Sequence, residues 1–279
     1  MRPLIPNLGI GLGLRLVHYW EIVEQLPPID WFEINSEYFM SLEGQRLEIL
    51  ESIAKHYPLA QHGLSLSIGS SDPLDFDYLK KLKALTRKTK TPWVSDHLSW
   101  GKLYGNHYHD LLPLLYTQEV ANYVAERARI VQDFLELPLA LENVTAYASC
   151  AENEMPEWEF YSAVVERADI FMMLDINNLY ISSHNLGFEP QDYYKNIPLD
   201  RVIQIHLAGF QNRGNYLLDT HDGPVSDPVW KLYEEIYPKI QNASVLLEWD
   251  ENIPSLQDTW KEVLKAKEFQ KSLTVREVV

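Results

Sequence analysis

Short apolar or β-branched runs recur from one end of the chain to the other, each followed by a longer stretch with helical spacing. The runs are Gly9–Leu14, Trp31–Ile34, Leu59–Leu64, Trp93–Leu98, Leu139–Asn143, Phe171–Ile176, Val202–Leu207 and Ser244–Trp249. Between them Leu47, Leu50, Ile53 and Ala54, or Val120, Tyr123, Val124, Arg127 and Val131, fall on one face of a helix. Strands alternating with helices indicate βαβ units, and eight repeats of the unit predict an α/β fold, a closed (β/α)8 TIM barrel. A doubly wound open sheet is the rival, but it rarely needs eight equivalent strands. No linker, low-complexity tract or composition break divides the chain, so residues 1–279 are read as a single domain. The acidic Ala151–Glu159 stretch reads as a solvated loop leading into a helix.

Composition narrows the class. The chain has 279 residues, 46% of them apolar, with 8 Trp, 16 Tyr and 9 Phe, enough for a large core. Disordered and fibrous readings fall away. The lone cysteine, Cys150, excludes a disulfide framework and cysteine-rich zinc or iron–sulfur sites, and nothing beside it marks a nucleophile. No apolar run approaches the roughly 20 residues that span a bilayer, and no signal peptide is evident, which points to a soluble, cytoplasmic protein without membrane partners. A net charge of −16 argues against nucleic acid as a partner.

In a barrel of this kind the C-terminal strand ends carry the chemistry. Strand one ends near Arg15, and strand two runs Glu33-Ile34-Asn35. Strands three and four bring His62 and Asp96-His97; strands five and six bring Glu142-Asn143 and Asp175-Ile176-Asn177-Asn178. Strand seven ends in His206, followed by Asp219-Thr220-His221, and strand eight in Glu248-Trp249-Asp250. Singly, each has a structural explanation: a satisfied core histidine, a strand-capping ion pair, an aspartate turn. Together, His62, His97, His206, His221, Glu142, Asp175, Asp219 and Glu248 would meet at one mouth, where carboxylates without a cation repel one another. Two or three divalent ions neutralise such a set, and mixed imidazole/carboxylate ligation suits iron, zinc or manganese. Glu142 is expected to bridge two ions, since a carboxylate can share its oxygens and each imidazole serves one. Asp96 should point to the opposite face from His97, supporting the site from behind or belonging to the barrel wall.

Other features carry less. Gly9-Ile10-Gly11-Leu12-Gly13 has the look of a dinucleotide fingerprint but runs through a strand, so close packing is the better reading. His107, His109 and Asp110 stand in the loop after strand four, either at the site or on the surface. His18, His56 and His184 read as helix or loop residues.

At these positions the chain resembles domain-of-unknown-function family 692, the multinuclear non-haem iron-dependent oxidative enzymes. That family includes the iron enzyme of methanobactin biosynthesis and relatives that modify cysteine in ribosomally made peptides. The likeness runs from Gly9 to Pro254. It rests on Gly11-Leu12-Gly13-Leu14-Arg15, Glu33-Ile34-Asn35-Ser36-Glu37, His62-Gly63-Leu64-Ser65-Leu66-Ser67 and Asp96-His97-Leu98-Ser99-Trp100. It continues through Asp110-Leu111-Leu112-Pro113, Leu141-Glu142-Asn143, Leu174-Asp175-Ile176-Asn177-Asn178, Ile205-His206-Leu207-Ala208-Gly209 and Asp219-Thr220-His221. The resemblance implies two or three iron ions per chain and O2 as co-substrate. It implies oxidation of cysteine in a precursor peptide, with Glu142, Asp175 and His221 catalytic and a second, leader-binding protein as partner.

The ligand order is also similar to the three-zinc site of the endonuclease IV barrel. The position of a histidine there is Asn178 here, a weaker ligand. Asn178, Asn143 and Asp96 are accordingly read as third-metal or supporting residues. Arg15, Arg213 and His109 are read as substrate contacts in a peptide groove formed by loops Gly101–Leu112, Leu179–Gly187 and Gly209–Tyr216. For Arg15 a pair with Glu33 inside the barrel is the alternative. A sugar isomerase or epimerase barrel, an endonuclease-like phosphodiesterase and a non-catalytic metal-binding module are the rival functions. The phosphodiesterase is disfavoured because the strand-end loops offer few cations beyond Arg15, Lys102 and Arg213.

Overall fold

The computed structural model describes residues 3–41, 43–240 and 242–276. Eight parallel strands close into a barrel: β1 (Ile10–Gly13), β2 (Trp31–Asn35), β3 (Leu59–His62), β4 (Val94–His97), β5 (Leu139–Glu142), β6 (Phe171–Asp175), β7 (Val202–Leu207) and β8 (Ser244–Leu247). β1 closes the ring, pairing Gly11 with Trp31 of β2 on one side and with Leu246 of β8 on the other. All eight predicted strands are present, most of them trimmed by one or two residues where the chain turns toward the site.

Alternate strand residues face the two sides of the wall. Outward residues such as Leu12, Phe32, Ile34, Val94, Leu141, Leu174, Ile205 and Val245 pack in one core with the surrounding helices. Inside, Trp31, Ala60, Trp93, Ala140, Met173 and Leu246 form a separate apolar floor with Phe171 and Ile203. Two residues further along the same strands stand Glu33, His62, Ser95, Glu142, Asp175 and Glu248. Period-two alternation thus stacks a polar layer directly on an apolar one.

Several helices start from caps that the sequence supplies. Asp75 Oδ1 accepts from Tyr78 N at 3.0 Å ahead of helix Phe76–Thr89, and Thr117 Oγ1 accepts from Val120 N at 3.2 Å ahead of Gln118–Leu135. Three expected loops are not simple loops. The segment after β4 is a hairpin, Trp100–Leu103 against Asn106–Leu112, and the one after β7 pairs Phe210–Asn212 with Leu217–Asp219. The third, expected as loop Leu179–Gly187, lies almost wholly in helix Ile176–Leu186, which ends at Gly187 with φ +75°. Among the described residues no helix is long and apolar enough to cross a membrane.

Gly11 makes room for the floor: a Cβ there would lie 2.5 Å from the Trp31 ring. Gly11→Ala should therefore cost about 1–3 kcal/mol through overpacking. Chemical denaturation measures this, and an unchanged midpoint would refute the tight floor.

Candidate metal centre

Glu142, at the end of β5, lies between three imidazoles. Its Oε2 is 3.2 Å from His62 Nε2 and 3.1 Å from His97 Nε2, and its Oε1 is 3.2 Å from His206 Nδ1. The far ring nitrogens are already held: His62 Nδ1 is 3.0 Å from Ser95 Oγ, and His97 Nδ1 is 3.1 Å from the Gly63 carbonyl. A carbonyl only accepts, so His97 carries its proton on Nδ1 and turns the Nε2 lone pair inward. The two Nε2 atoms are 3.3 Å apart.

A second half of the site forms around Glu248, just beyond β8. Its Oε2 is 3.1 Å from His206 Nδ1 and 3.2 Å from His221 Nδ1. His221 Nε2 is 2.7 Å from Asp219 Oδ1, and its Nδ1 is 3.3 Å from Asp250 Oδ2. His221 sits at φ +46°, in the left-handed region, fixed by its N–H on the Gly209 carbonyl (3.1 Å) and its carbonyl under Asp250 N (2.8 Å). Backbone strain of this kind concentrates at functional sites.

Asp175, at the end of β6, divides its two oxygens. Oδ1 accepts from Asn178 N at 2.6 Å and caps the following helix, while Oδ2 is buried with no hydrogen-bond partner. Asn143 fixes the Asp175 backbone with two 2.9 Å bonds. Asn178 lines the cavity, but its amide donates to the Asn143 carbonyl (3.1 Å) and accepts from Thr145 Oγ1 (2.7 Å). Both asparagines thus brace the ligands' strands. Asp96 accepts from His97 N (2.8 Å) and Leu66 N (3.2 Å), tying down the turn whose Gly63 carbonyl orients His97.

The donor set suits metal ions. Glu142 Oε2, Asp175 Oδ2, His206 Nδ1 and His221 Nε2 are all buried without a hydrogen-bond partner, a costly arrangement unless a cation takes the lone pairs. Among the described residues, four groups each bring three ligand atoms within 4.8 Å: His62, His97 and Glu142; Glu33, His206 and Glu248; Glu142, Asp175 and His206; Asp175, His221 and Glu248. Glu142, Asp175, His206 and Glu248 each serve two groups, so neighbouring positions share ligands. Asp219 stands outside these groups, held by His221, Asn177 Nδ2 (3.0 Å) and Thr145 Oγ1 (3.0 Å). Glu33 and Asp250 were not in the set predicted from sequence.

Without metal, protons balance the charges. Burial opposes a charge on His62, but Glu142 outweighs it and lifts His62 to about 9. His206 and His221 are likewise held well above the ordinary imidazole value despite burial, by Glu33 and Glu248 for the first and by Asp219 and Glu248 for the second. Burial and the Glu142 charge push Asp175 well up, whereas burial keeps His97 neutral, down at about 4. Burial alone would raise Glu248; His206 and His221 pull it well below the carboxylate range.

His62, His97, Glu142, Asp219, His221 and Glu248 line a cavity of about 250 Å³, while Asp175 and His206 are fully buried and not among its lining residues. Beside it lies a second cavity of about 310 Å³, lined by Glu37, Ser65, Ser67, His107, His109 and Asp110, with Leu64 and Leu111 common to both. His109 therefore faces the adjoining cavity. Arg15 lines the first, but it is bound to strand eight: Nε donates to the Trp249 carbonyl at 2.8 Å, and the guanidinium pairs with Asp250 and lies 3.9 Å from Glu248. It does not pair with Glu33 as the alternative supposed. Arg213 is exposed at the tip of the second hairpin and lines neither cavity.

Metal ions must displace the protons held here. Affinity for a divalent ion should climb by about tenfold per pH unit for each proton displaced, through the range below the His62 value of about 9. Titration at several pH values, with proton release measured, checks the sign; uptake independent of pH from 6 to 9 would oppose it. Glu142→Ala should lose more than one ion per chain by elemental analysis, because both of its oxygens face imidazoles. Loss of one ion or none would count against bridging.

Solved structures with this architecture include D-psicose 3-epimerase with D-fructose (TM-score 0.62, 14% identity, 95% of this chain and 99% of that one). Another is 3-keto-D-glucoside 4-epimerase from E. coli (TM-score 0.61, 14% identity, 93% and 98%). At such identity the likeness is one of fold. In sequence the chain is 45% identical over 263 residues to a UPF0276 protein of Anaeromyxobacter sp. (strain Fw109-5), covering 94% of this chain and 93% of the relative. It is 41% identical over 261 residues to a UPF0276 protein of Acaryochloris marina (strain MBIC 11017), covering 94% of each. Residues 9–271 match the family described as RiPP precursor modification enzyme MbnB/TglH/ChrH. The barrel, its ionisable mouth and this match agree: the chain belongs to the MbnB/TglH/ChrH family of RiPP precursor modification enzymes.

Proposed function

We propose that the protein is a multinuclear, iron-dependent oxidative enzyme that uses O2 to modify cysteine in a ribosomally made precursor peptide. The observation that carries this reading is the shared-ligand cluster at the strand ends, with four buried donor atoms lacking hydrogen-bond partners. His62, His97, Glu142, Asp175, His206, Asp219, His221 and Glu248 would hold two or three ions. Glu142, Asp175 and His221 would touch the reacting centre. When bound, iron supplies the redox capacity that lets O2 oxidise the substrate.

The protein's own residues supply placement and protons. Thr145, Asn143 and Asn178 keep Asp175 and Asp219 aimed inward, so little reorganisation is needed when charge changes. His221, between Asp219 and Glu248, is placed to hold a proton near an entering thiol. The cavity meets its neighbour at Leu64 and Leu111, giving a peptide room for the residue beside its cysteine. Tyr147 packs against Tyr216 with ring centroids 6.3 Å apart, and its hydroxyl accepts from Asp219 N at 3.2 Å. Arg15 is the one Lys or Arg among the residues lining the metal cavity, and it is held by carboxylates, which disfavours a phosphodiester substrate. A second, leader-binding protein is proposed as partner, and the cytoplasm as the place of action.

Elemental analysis of anaerobically purified protein should find two or three iron atoms per chain; a single ion, or zinc alone, would contradict the proposal. His109→Ala and Arg213→Ala should each raise KM for the peptide about 2–10-fold, the loss of one polar contact, while leaving metal content intact. Peptide turnover unaffected by both would remove these residues from the groove.

A further inference from the structure

A buried polar chain runs from the barrel floor to His206, and no ligand role accounts for its lower members. Trp93, Gln204 and His206 are fully buried and Glu33 nearly so. Trp93 Nε1 donates to Gln204 Oε1 at 2.7 Å. An indole N–H can only donate, so this bond fixes which way the Gln204 amide faces. Its NH2 end is thereby turned to Glu33, and it donates to Glu33 Oε2. On the other side His206 Nε2 lies 3.2 Å from both Glu33 oxygens.

We propose that Glu33 is a positioning residue that holds the proton of His206 on Nε2, and so presents the Nδ1 lone pair to the metal centre. The proposal rests on the metal reading above and assigns Glu33 outside the ligand set. Carboxylate oxygens accept, so Glu33 gathers two donors, the Gln204 amide and the His206 Nε2–H. The 2.8 Å approach of Gln204 Nε2 to His206 Nε2 follows from two donors meeting on one carboxylate. At the other ring nitrogen, Nδ1 lies 3.2 Å from Glu142 Oε1 and 3.1 Å from Glu248 Oε2. Yet neither oxygen accepts a hydrogen bond from it. Nδ1 therefore faces the gap between two carboxylates, and once an ion displaces its proton its lone pair would face that ion. A carboxylate behind a ligating histidine also raises the basicity of the ring. The competing arrangement has the Gln204 amide donating to His206 Nε2, which would move the ring proton to Nδ1 and close that position.

The test uses the full-length chain loaded with zinc alone, a diamagnetic probe, alongside metal counts on the protein as purified. Nitrogen-15 NMR of the histidines in zinc-loaded wild type should show His206 protonated at Nε2. Glu33→Gln should shift or abolish that signal and weaken zinc about 10–100-fold in a chelator competition, with Glu33→Asp recovering part of the loss. A proton on Nδ1 in the wild type would overturn the proposal. So would a Glu33→Gln variant with unchanged affinity and signal. Loss of one ion per chain with the His206 signal intact would overturn it too, by making Glu33 a ligand. Wild type that takes up neither zinc nor any metal during purification would defeat the metal reading as well; normal uptake with an indifferent Glu33→Gln defeats this inference alone.

Discussion

A carboxylate sealed inside a barrel must be matched by positive charge or take up a proton, and Glu142 is 2% exposed. His62, His97 and His206 meet it from three directions at 3.1–3.2 Å. The same requirement repeats at Glu248, between His206 and His221, so the two halves of the site share His206. Without metal, His62, His206, His221 and Asp175 meet the requirement with protons, while burial keeps His97 neutral. Ions bound at the mouth would replace those protons.

The barrel makes such a cluster tolerable by separating it from the apolar interior in a single step. Trp31 and Trp93 meet edge to face, with ring centroids 6.1 Å apart, and cap the floor. The polar chain through Gln204 and Glu33 then rises from Trp93 to His206. Several groups work twice. Asp175 starts a helix with one oxygen and leaves the other for the cluster. Ser95 accepts from His62 and donates to the Gln61 carbonyl at 3.2 Å, so the wall of the barrel fixes an imidazole. Asn185 holds the second hairpin through both the N–H and the carbonyl of Leu217, and with it the strand that carries Asp219.

Much of this is legible in the sequence because it depends on local periodicity. The eight strands are marked by apolar runs, and their ends by abrupt polar residues, so the candidate ligands can be picked out strand by strand. Glu33 stands at a strand end in the sequence, but its role depends on facing His206 and Gln204 across the barrel, which no local pattern marks. Gln204 and Trp93 read as ordinary strand residues, and their connection spans sequence separations of 111 and 171 residues. Both hairpins read as loops in the sequence, although Tyr104-Gly105 and Gly214 supply the positive φ their turns require. Helix Ile176–Leu186 was partly missed because Asp175 was read only as a ligand, and its capping of Asn178 went unused. Arg15 reads from the sequence as a substrate contact or a partner of Glu33, because its actual partner across the closed seam, Asp250, lies 235 residues away.

Anomalous diffraction at the iron edge, from crystals grown without oxygen, tests the central claim most directly. Two or three peaks should lie in the space bounded by His62, Glu142, His206 and Glu248, with Glu142 within bonding distance of two of them. No peak there, or a single peak that leaves one side of Glu142 facing only protonated imidazoles, would contradict it.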